Sequence, residues 1–254
     1  MPFRSRKFPG FVYAAAVLAA LAAPAAQAQW TGKAELGYLS STGNTESTSA
    51  NTKFDLTHEG AKWRNNVFVG AQYGENAEFS TAERYEARYQ ADWKITDRAS
   101  WFGGIRGEQD RFSGFAYQAT VSTGASYKFI DSPTTKLTAS LGAGVRRSKS
   151  ETLIKTDAGE VIDRIEGDVD DEPVITFSSN YENDFTATTK LTNKLLAESG
   201  SDNTAVQNDL AVQVSMTDSL ALAVGYAIRY NSNPPPLAES TDTLVTVNLV
   251  YNIK

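Results

Sequence analysis

Arg84, Glu86, Arg88 and Asp92 fall at alternate positions of the run ERYEARYQADW, with Gln90 completing the series. Alternate positions of an extended chain share one face, so this face is almost wholly charged. Two guanidinium groups interleaved with two carboxylates can bind a polar solute through forked hydrogen bonds, or neutralise one another in a closed space. Lys128, Lys136, Arg146 and Arg229 hold the same phase in their own segments, and Arg106 and Glu108 add a further pair. General acid–base catalysis is poorly served. The chain has a single histidine, His58, beside Glu59-Gly60, and no cysteine. Lipase- and protease-type sites in a membrane need a histidine at the rim. No G-x-S-x-G, H-E-x-x-H or P-loop occurs, so neither a catalytic set nor a cofactor is expected. Without cysteine there is no disulfide and no zinc-thiolate site.

The elements that carry these charges read as strands. In SLALAVGYAIRY, Leu220, Leu222, Val224, Tyr226, Ile228 and Tyr230 share one face, opposite Ser219, Ala221, Ala223, Gly225, Ala227 and Arg229. In TDTLVTVNLVYNI, Val245, Val247, Leu249, Tyr251 and Ile253 alternate with polar residues. KLTASLGAGVRR and ATVSTGASYKF repeat the pattern, with small residues on the polar face. Strict alternation over about 10 residues, repeated between turns, predicts an antiparallel, up-and-down transmembrane β-barrel. The expected strands are 30–40, 47–58, 62–74, 81–93, 98–109, 115–130, 134–148, 172–183, 186–198, 204–216, 218–231 and 241–253, twelve in all. A soluble periplasmic β-sandwich that binds a ligand is the alternative fold, and it would use shorter strands around a shared apolar core.

Residues 1–28 read as a cleaved signal peptide. Arg4, Arg6 and Lys7 precede the apolar run FVYAAAVLAALAA, and Ala26-Gln27-Ala28 supplies a small-x-small cleavage pattern. Residues 29–254 are then the barrel, and removing the three cations takes the formal charge from −6 to −9. So acidic a chain is not expected to bind nucleic acid. Its expected partners are outer-membrane lipid, lipopolysaccharide and, during biogenesis, the barrel-assembly machinery.

With the N-terminus in the periplasm, the odd connections should be the longer, external ones. The longest, 149–172, carries nine carboxylates and ends GDVDDE. It is expected to be a solvated acidic loop. Divalent-cation binding by its carboxylates, or a short hairpin around Asp157-Ala158-Gly159, are the further options. Trp30, Trp63, Trp93 and Trp101 all fall near strand ends, as interfacial aromatics do.

Two segments resemble a known family. WTGKAELGYLSSTGNTESTSANTKFDL, with Trp30, Gly32, Thr42, Gly43, Asn44 and Thr45, is similar to the opening of the DUF481 family, salt-induced outer-membrane proteins of Gram-negative bacteria. Arg229-Tyr230-Asn231-Ser232-Asn233-Pro234-Pro235 and Thr241-Asp242-Thr243 are similar to its C-terminal part. The resemblance implies an outer-membrane barrel and supplies no catalytic residues. The Thr42–Thr45 motif reads as an external hairpin tip, with Gly43-Asn44 able to adopt a tight reversal. A small-solute pore and a structural or envelope-stress barrel are both compatible with these features, and the charged lumen is either a conducting path or a plug.

Overall fold

The structure, a computed structural model, describes residues 30–41, 47–76, 79–156, 160–235 and 238–254. The expected signal peptide and the Thr42, Gly43, Asn44 and Thr45 motif lie outside the described residues. Twelve strands form one closed antiparallel barrel in which each pairs with its sequence neighbours. They are β1 (Trp30–Ser41), β2 (Ser47–Glu59), β3 (Trp63–Asn76), β4 (Ser80–Lys94), β5 (Ala99–Asp110), β6 (Phe115–Asp131), β7 (Thr135–Lys155), β8 (Val161–Asp184), β9 (Thr189–Ser199), β10 (Thr204–Ser215), β11 (Leu220–Asn231) and β12 (Thr241–Ile253). The barrel closes between β1 and β12, in register from Gly32↔Ile253 to Gly37↔Asn248. A single sheet closed on itself excludes the sandwich alternative.

The alternation sorts side chains as the pattern dictates. Leu222, Val224, Val245, Val247, Leu141, Val145 and Ile105 all face outward and are exposed, while Glu86, Arg106, Thr120, Ser126, Arg146 and Asn248 are buried inside. An apolar exterior around a polar interior inverts the soluble arrangement and suits a lipid environment, where closure leaves no unpaired sheet edge. Trp63, Trp93 and Trp101 are direct cross-strand partners on β3, β4 and β5. They form a tryptophan row around the rim that carries the chain ends, where an amphipathic ring satisfies both lipid and water. His58 sits at the same rim, 5.0 Å from the Trp30 ring.

Four of the five turns at this rim share one device. Thr96, Ser132, Thr186 and Thr217 each accept, through the side-chain oxygen, a backbone N–H two or three residues on. The turns are short because this local bond closes them without extra chain.

The opposite rim departs from expectation. The acidic segment 149–172 is not a loop. β7 runs to Lys155 and β8 begins at Val161, so the two extend above their neighbours as a ribbon, the form the hairpin option anticipated. The tip, 157–159, lies outside the described residues. The outward face of this pair changes character abruptly. Val145 and Pro173 are followed by Arg147 and Asp171, which are paired at 2.7 Å. Apolar surface ends there and water begins. Hydrogen bonding from Arg147 holds the Asp171 carboxyl below its ordinary pKa, and hydrogen bonding from Lys149 does the same to Glu166.

Candidate functional site

The inward face concentrates charge at one level of the barrel. β4 descends from the ribbon rim and presents Arg84, Glu86 and Arg88, while β5 ascends beside it with Arg106 and Glu108. Glu86 is the hub. Arg84 approaches it at 3.1 Å, Arg106 at 3.1 Å and Arg88 at 3.3 Å. Arg84 also donates to Glu108 at 2.9 Å, and Arg106 pairs with Glu108 as well. Arg88 additionally lies over the Phe68 ring, 4.1 Å from its centroid. A low-dielectric lumen makes unpaired charge costly, so the carboxylates and guanidiniums neutralise one another in place.

These pairs also cross the lumen. Arg106 Nη1 reaches Glu198 on β9 at 3.4 Å, and Gln207 on β10 donates to Glu108 at 3.0 Å. Lower down, Lys194 on β9 pairs with Asp55 on β2, and Lys53 on β2 lies 3.9 Å from Asp209 on β10. The partners stand four or five strands apart around the wall. The bonds therefore tie opposite walls together as well as neighbouring strands.

Arg146 anchors the ribbon side. It is 1% exposed, the most completely enclosed charge among the described residues. Its Nε donates to Glu172 at 3.1 Å and an Nη to the Asn203 carbonyl at 2.6 Å. Glu172 in turn accepts from the backbone N–H of Asp202. The pair thus joins β7 and β8 to the β9–β10 turn. In a strand Asp171 points outward to Arg147 and Glu172 inward to Arg146, so adjacent carboxylates cannot converge on one ion. Among the described residues no three carboxylate or histidine groups gather as a metal set.

Above this level the mouth is crossed by a strap. The connection 232–240 leaves β11 beside β10, where Ser232 N donates to the Thr204 carbonyl. The side chain of Asn203 accepts from Asn233 N at 3.1 Å and from Ser232 Oγ at 3.2 Å. The chain then reaches the β5–β6 turn, half the circumference away. A Cβ on Gly114, whose φ is +79°, would lie 3.0 Å from Pro235 and 3.2 Å from Ala238. The ribbon is pinned to the same turn: Glu151 N donates to the Gly114 carbonyl, and Arg164 bonds Glu151 and the Arg111 carbonyl.

Below the Arg106–Glu198 crossing, and lined by the two lower crossing pairs, lies an open cavity of about 1020 Å³ with its open solvent included. Its charged lining is Lys33, Lys53, Arg84, Arg88, Lys194 and Arg229 against Glu35, Asp55, Glu86 and Asp209. Glycines make the room. Gly70 stands in register between Lys53 and Glu86 and offers no side chain, and at Gly37 a Cβ would collide with Asn248 and Asn51. Toward the chain-end rim the interior fills with small packing groups: Ala221 and Val250 are fully buried, and Ser126 and Ser140 share a 2.7 Å hydrogen bond.

Of the eight lumen charges expected from sequence, Arg84, Glu86 and Arg88 meet in the network, Arg229 pairs with Asp209 at 2.9 Å beside the cavity, and Arg146 binds Glu172. Asp92 is inside and buried but stands apart, bonded by Gln90 at 3.0 Å. Lys128 and Lys136 are a correction. Their phase is inward, but both stand at the chain-end rim, where Lys128 pairs with Asp131 at 3.6 Å and Lys136 is exposed. Sequence reasoning missed Lys53, Asp55, Lys194, Glu198 and Asp209. The signal was available in the alternation Lys53-x-Asp55 and Lys190-x-Thr192-x-Lys194. Glu172 and Glu198 lie where a strand end was expected, and so were not read as interior.

Comparison with known proteins follows the same lines. An uncharacterized protein of Escherichia coli strain K12, YdiY, is 25% identical over 229 residues, covering 90% of this chain and 85% of that one. Among solved structures, the translocator domain of the autotransporter NalP from Neisseria meningitidis aligns with a TM-score of 0.46 at 11% identity, covering 96% of this chain and 94% of its own. The COG4313 outer membrane channel from Pseudomonas putida F1 aligns with a TM-score of 0.46 at 7% identity, covering 89% and 96%. The family model described as a protein of unknown function, DUF481, matches residues 34–253. The chain belongs to the DUF481 family.

Proposed function

We propose that this barrel sits in an outer membrane and admits small polar solutes to a charged lumen that is narrowed at its external end. The observation that carries the reading is the open cavity, about 1020 Å³ with its open solvent included, whose lining holds ion pairs that cross from wall to wall. A barrel needed only as a membrane-embedded wall would gain more from a packed apolar interior than from buried ion pairs. The short turns and both chain ends face the periplasm in this reading, and the ribbon and strap face outward, following the usual asymmetry of such barrels. The apolar band contacts lipid, and the ribbon's charges stand at the level of lipopolysaccharide headgroups. We read the lumen as acting by passage: His58, the single histidine of the chain, lies 5.0 Å from the Trp30 ring at the rim, tilted against it and away from the charged network.

Proteoliposome swelling tests the proposal. Liposomes holding the refolded barrel should swell in isosmotic glycine faster than protein-free liposomes. They should swell more slowly in a disaccharide. Equal swelling with and without protein, also after Arg106 and Glu198 are both replaced by Ser, would overturn it.

A further inference from the structure

The cations that line the cavity outnumber the carboxylates that line it, and they are not equally well partnered. Six cations line it against four carboxylates. Four of the six have a carboxylate of their own: Lys33 with Glu35, Lys194 with Asp55, Arg229 with Asp209, and Arg84 with Glu86 and Glu108. The two that share a carboxylate already hydrogen-bonded to another cation are Lys53 and Arg88. Lys53 reaches only Asp209, at 3.9 Å, and both oxygens of that carboxylate already accept from Arg229. Arg88 reaches only Glu86, at 3.3 Å, and that carboxylate already accepts from Arg84 and Arg106. Among the described residues neither the Lys53 nor the Arg88 side chain donates a hydrogen bond, and each is 30% exposed.

Their placement is specific. Lys53 on β2 and Arg88 on β4 flank β3 two residues out of register, so their backbones are roughly 12 Å apart at ~4.8 Å per strand and ~3.4 Å per residue. Between them β3 presents Gly70, which is empty, and Phe68, whose ring supports the Arg88 guanidinium. An ammonium and a guanidinium with unused donors, facing one cleared space, match acidic groups: a point charge suits one oxyanion and the planar fork suits a carboxylate or phosphate edge.

We infer that the cavity is a binding site for a small organic anion, carboxylate- or phosphate-bearing, held between Lys53 and Arg88. This rests on the reading of the lumen as a solute compartment and names the class of solute. The two residues set selectivity, and the neutralised pairs around them supply a wall without net attraction for cations.

The test uses the full refolded barrel and two readouts. In a planar bilayer under a potassium chloride gradient, the reversal potential should show anion preference, and Lys53→Gln with Arg88→Gln should abolish it. In calorimetric titration, succinate and inorganic phosphate should each release heat while glycerol should not. Each single substitution should weaken binding about tenfold, the loss of one hydrogen bond to a charged group. Whichever of succinate and phosphate binds more tightly assigns the acidic group. Heat-modifiable gel migration confirms that the variants fold, as expected where the partner carboxylates remain paired. Cation preference in the wild type, or anion preference unchanged in the double variant, would overturn the site. A silent bilayer would count against passage alone. The site would then stand if the titration gives binding that the double variant loses, and fall if neither anion binds.

Discussion

Replacing Arg146 by Met is expected to lower the unfolding free energy of the refolded barrel by about 3–5 kcal/mol, the cost of leaving a buried carboxylate unpaired. Arg146 is 1% exposed and Glu172 5% exposed, so water screens neither. Loss of the guanidinium also frees the Asn203 carbonyl, which accepts from Arg146 at 2.6 Å. That bond ties the β9–β10 turn to β7. Replacing both members of the pair, Arg146→Met with Glu172→Met, should recover most of the loss, because no uncompensated charge remains. Urea unfolding followed by tryptophan fluorescence measures both variants. A single variant within about 1 kcal/mol of the wild type would show that the pair is not enclosed as described, since an exposed pair contributes no more than that.

Shortening the strap is expected to have the second large effect. The connection 232–240 meets both sides of the mouth, through Asn233 at Asn203 and through Pro235 and Ala238 at Gly114. Replacing it with a two-residue Asn-Gly turn would satisfy the β11–β12 hairpin locally and leave the mouth uncovered. A cysteine placed at Gln72, which lines the cavity, reports on access because the chain has no cysteine of its own. With the strap intact, a charged maleimide added from the ribbon side should label it slowly. With the strap shortened, labelling should accelerate by at least an order of magnitude. Equal rates would mean that the strap does not limit entry. The ribbon should stay in place in this variant, because its bonds to Gly114 and Arg111 do not involve the strap.

Much of this arrangement was legible in the sequence, and what was not has a physical reason. Period-two alternation marks which residues face in, and it assigned Arg84, Glu86, Arg88, Arg146 and Arg229 correctly. It also marked the number of strands, and the placing of Trp63, Trp93 and Trp101 near strand ends agrees with their row at one rim. Depth along a strand is a separate coordinate that alternation does not carry. Lys128 and Lys136 therefore had the right face and the wrong level, and ended at the rim. The partners across the lumen were hidden for a different reason. Local pattern fixes neighbours on the wall, whereas the meeting of β5 with β9 and of β2 with β10 follows from the tilt and stagger of the closed barrel. No window of sequence contains Arg106 and Glu198 together, 92 residues apart. The acidic segment 149–172 misled by composition. Carboxylates suggest a loop, but successive ones in a strand face opposite sides, and Asp171 and Glu172 each find a different arginine.

The resemblance at the C-terminal end gains a physical content from the strap. Asn231, Asn233 and Pro235 are not interchangeable turn residues. Asn231 accepts from Asn203 at 3.2 Å, Asn233 donates its backbone N–H to the same side chain, and Pro235 meets Gly114 across the mouth. A connection with these duties tolerates fewer sequences than a simple reversal does.

The central claim is that ion pairs crossing between opposite walls narrow an otherwise continuous lumen. Single-channel conductance in a planar bilayer tests it most directly, comparing the wild type with the variant carrying Arg106→Ser and Glu198→Ser. Removing one cation and one carboxylate leaves the net charge unchanged, so any difference reports on obstruction rather than on selectivity. The expected result is a small wild-type conductance that rises several-fold in the double variant. Equal conductance in the two, large or small, would contradict the claim that this crossing sets the bore.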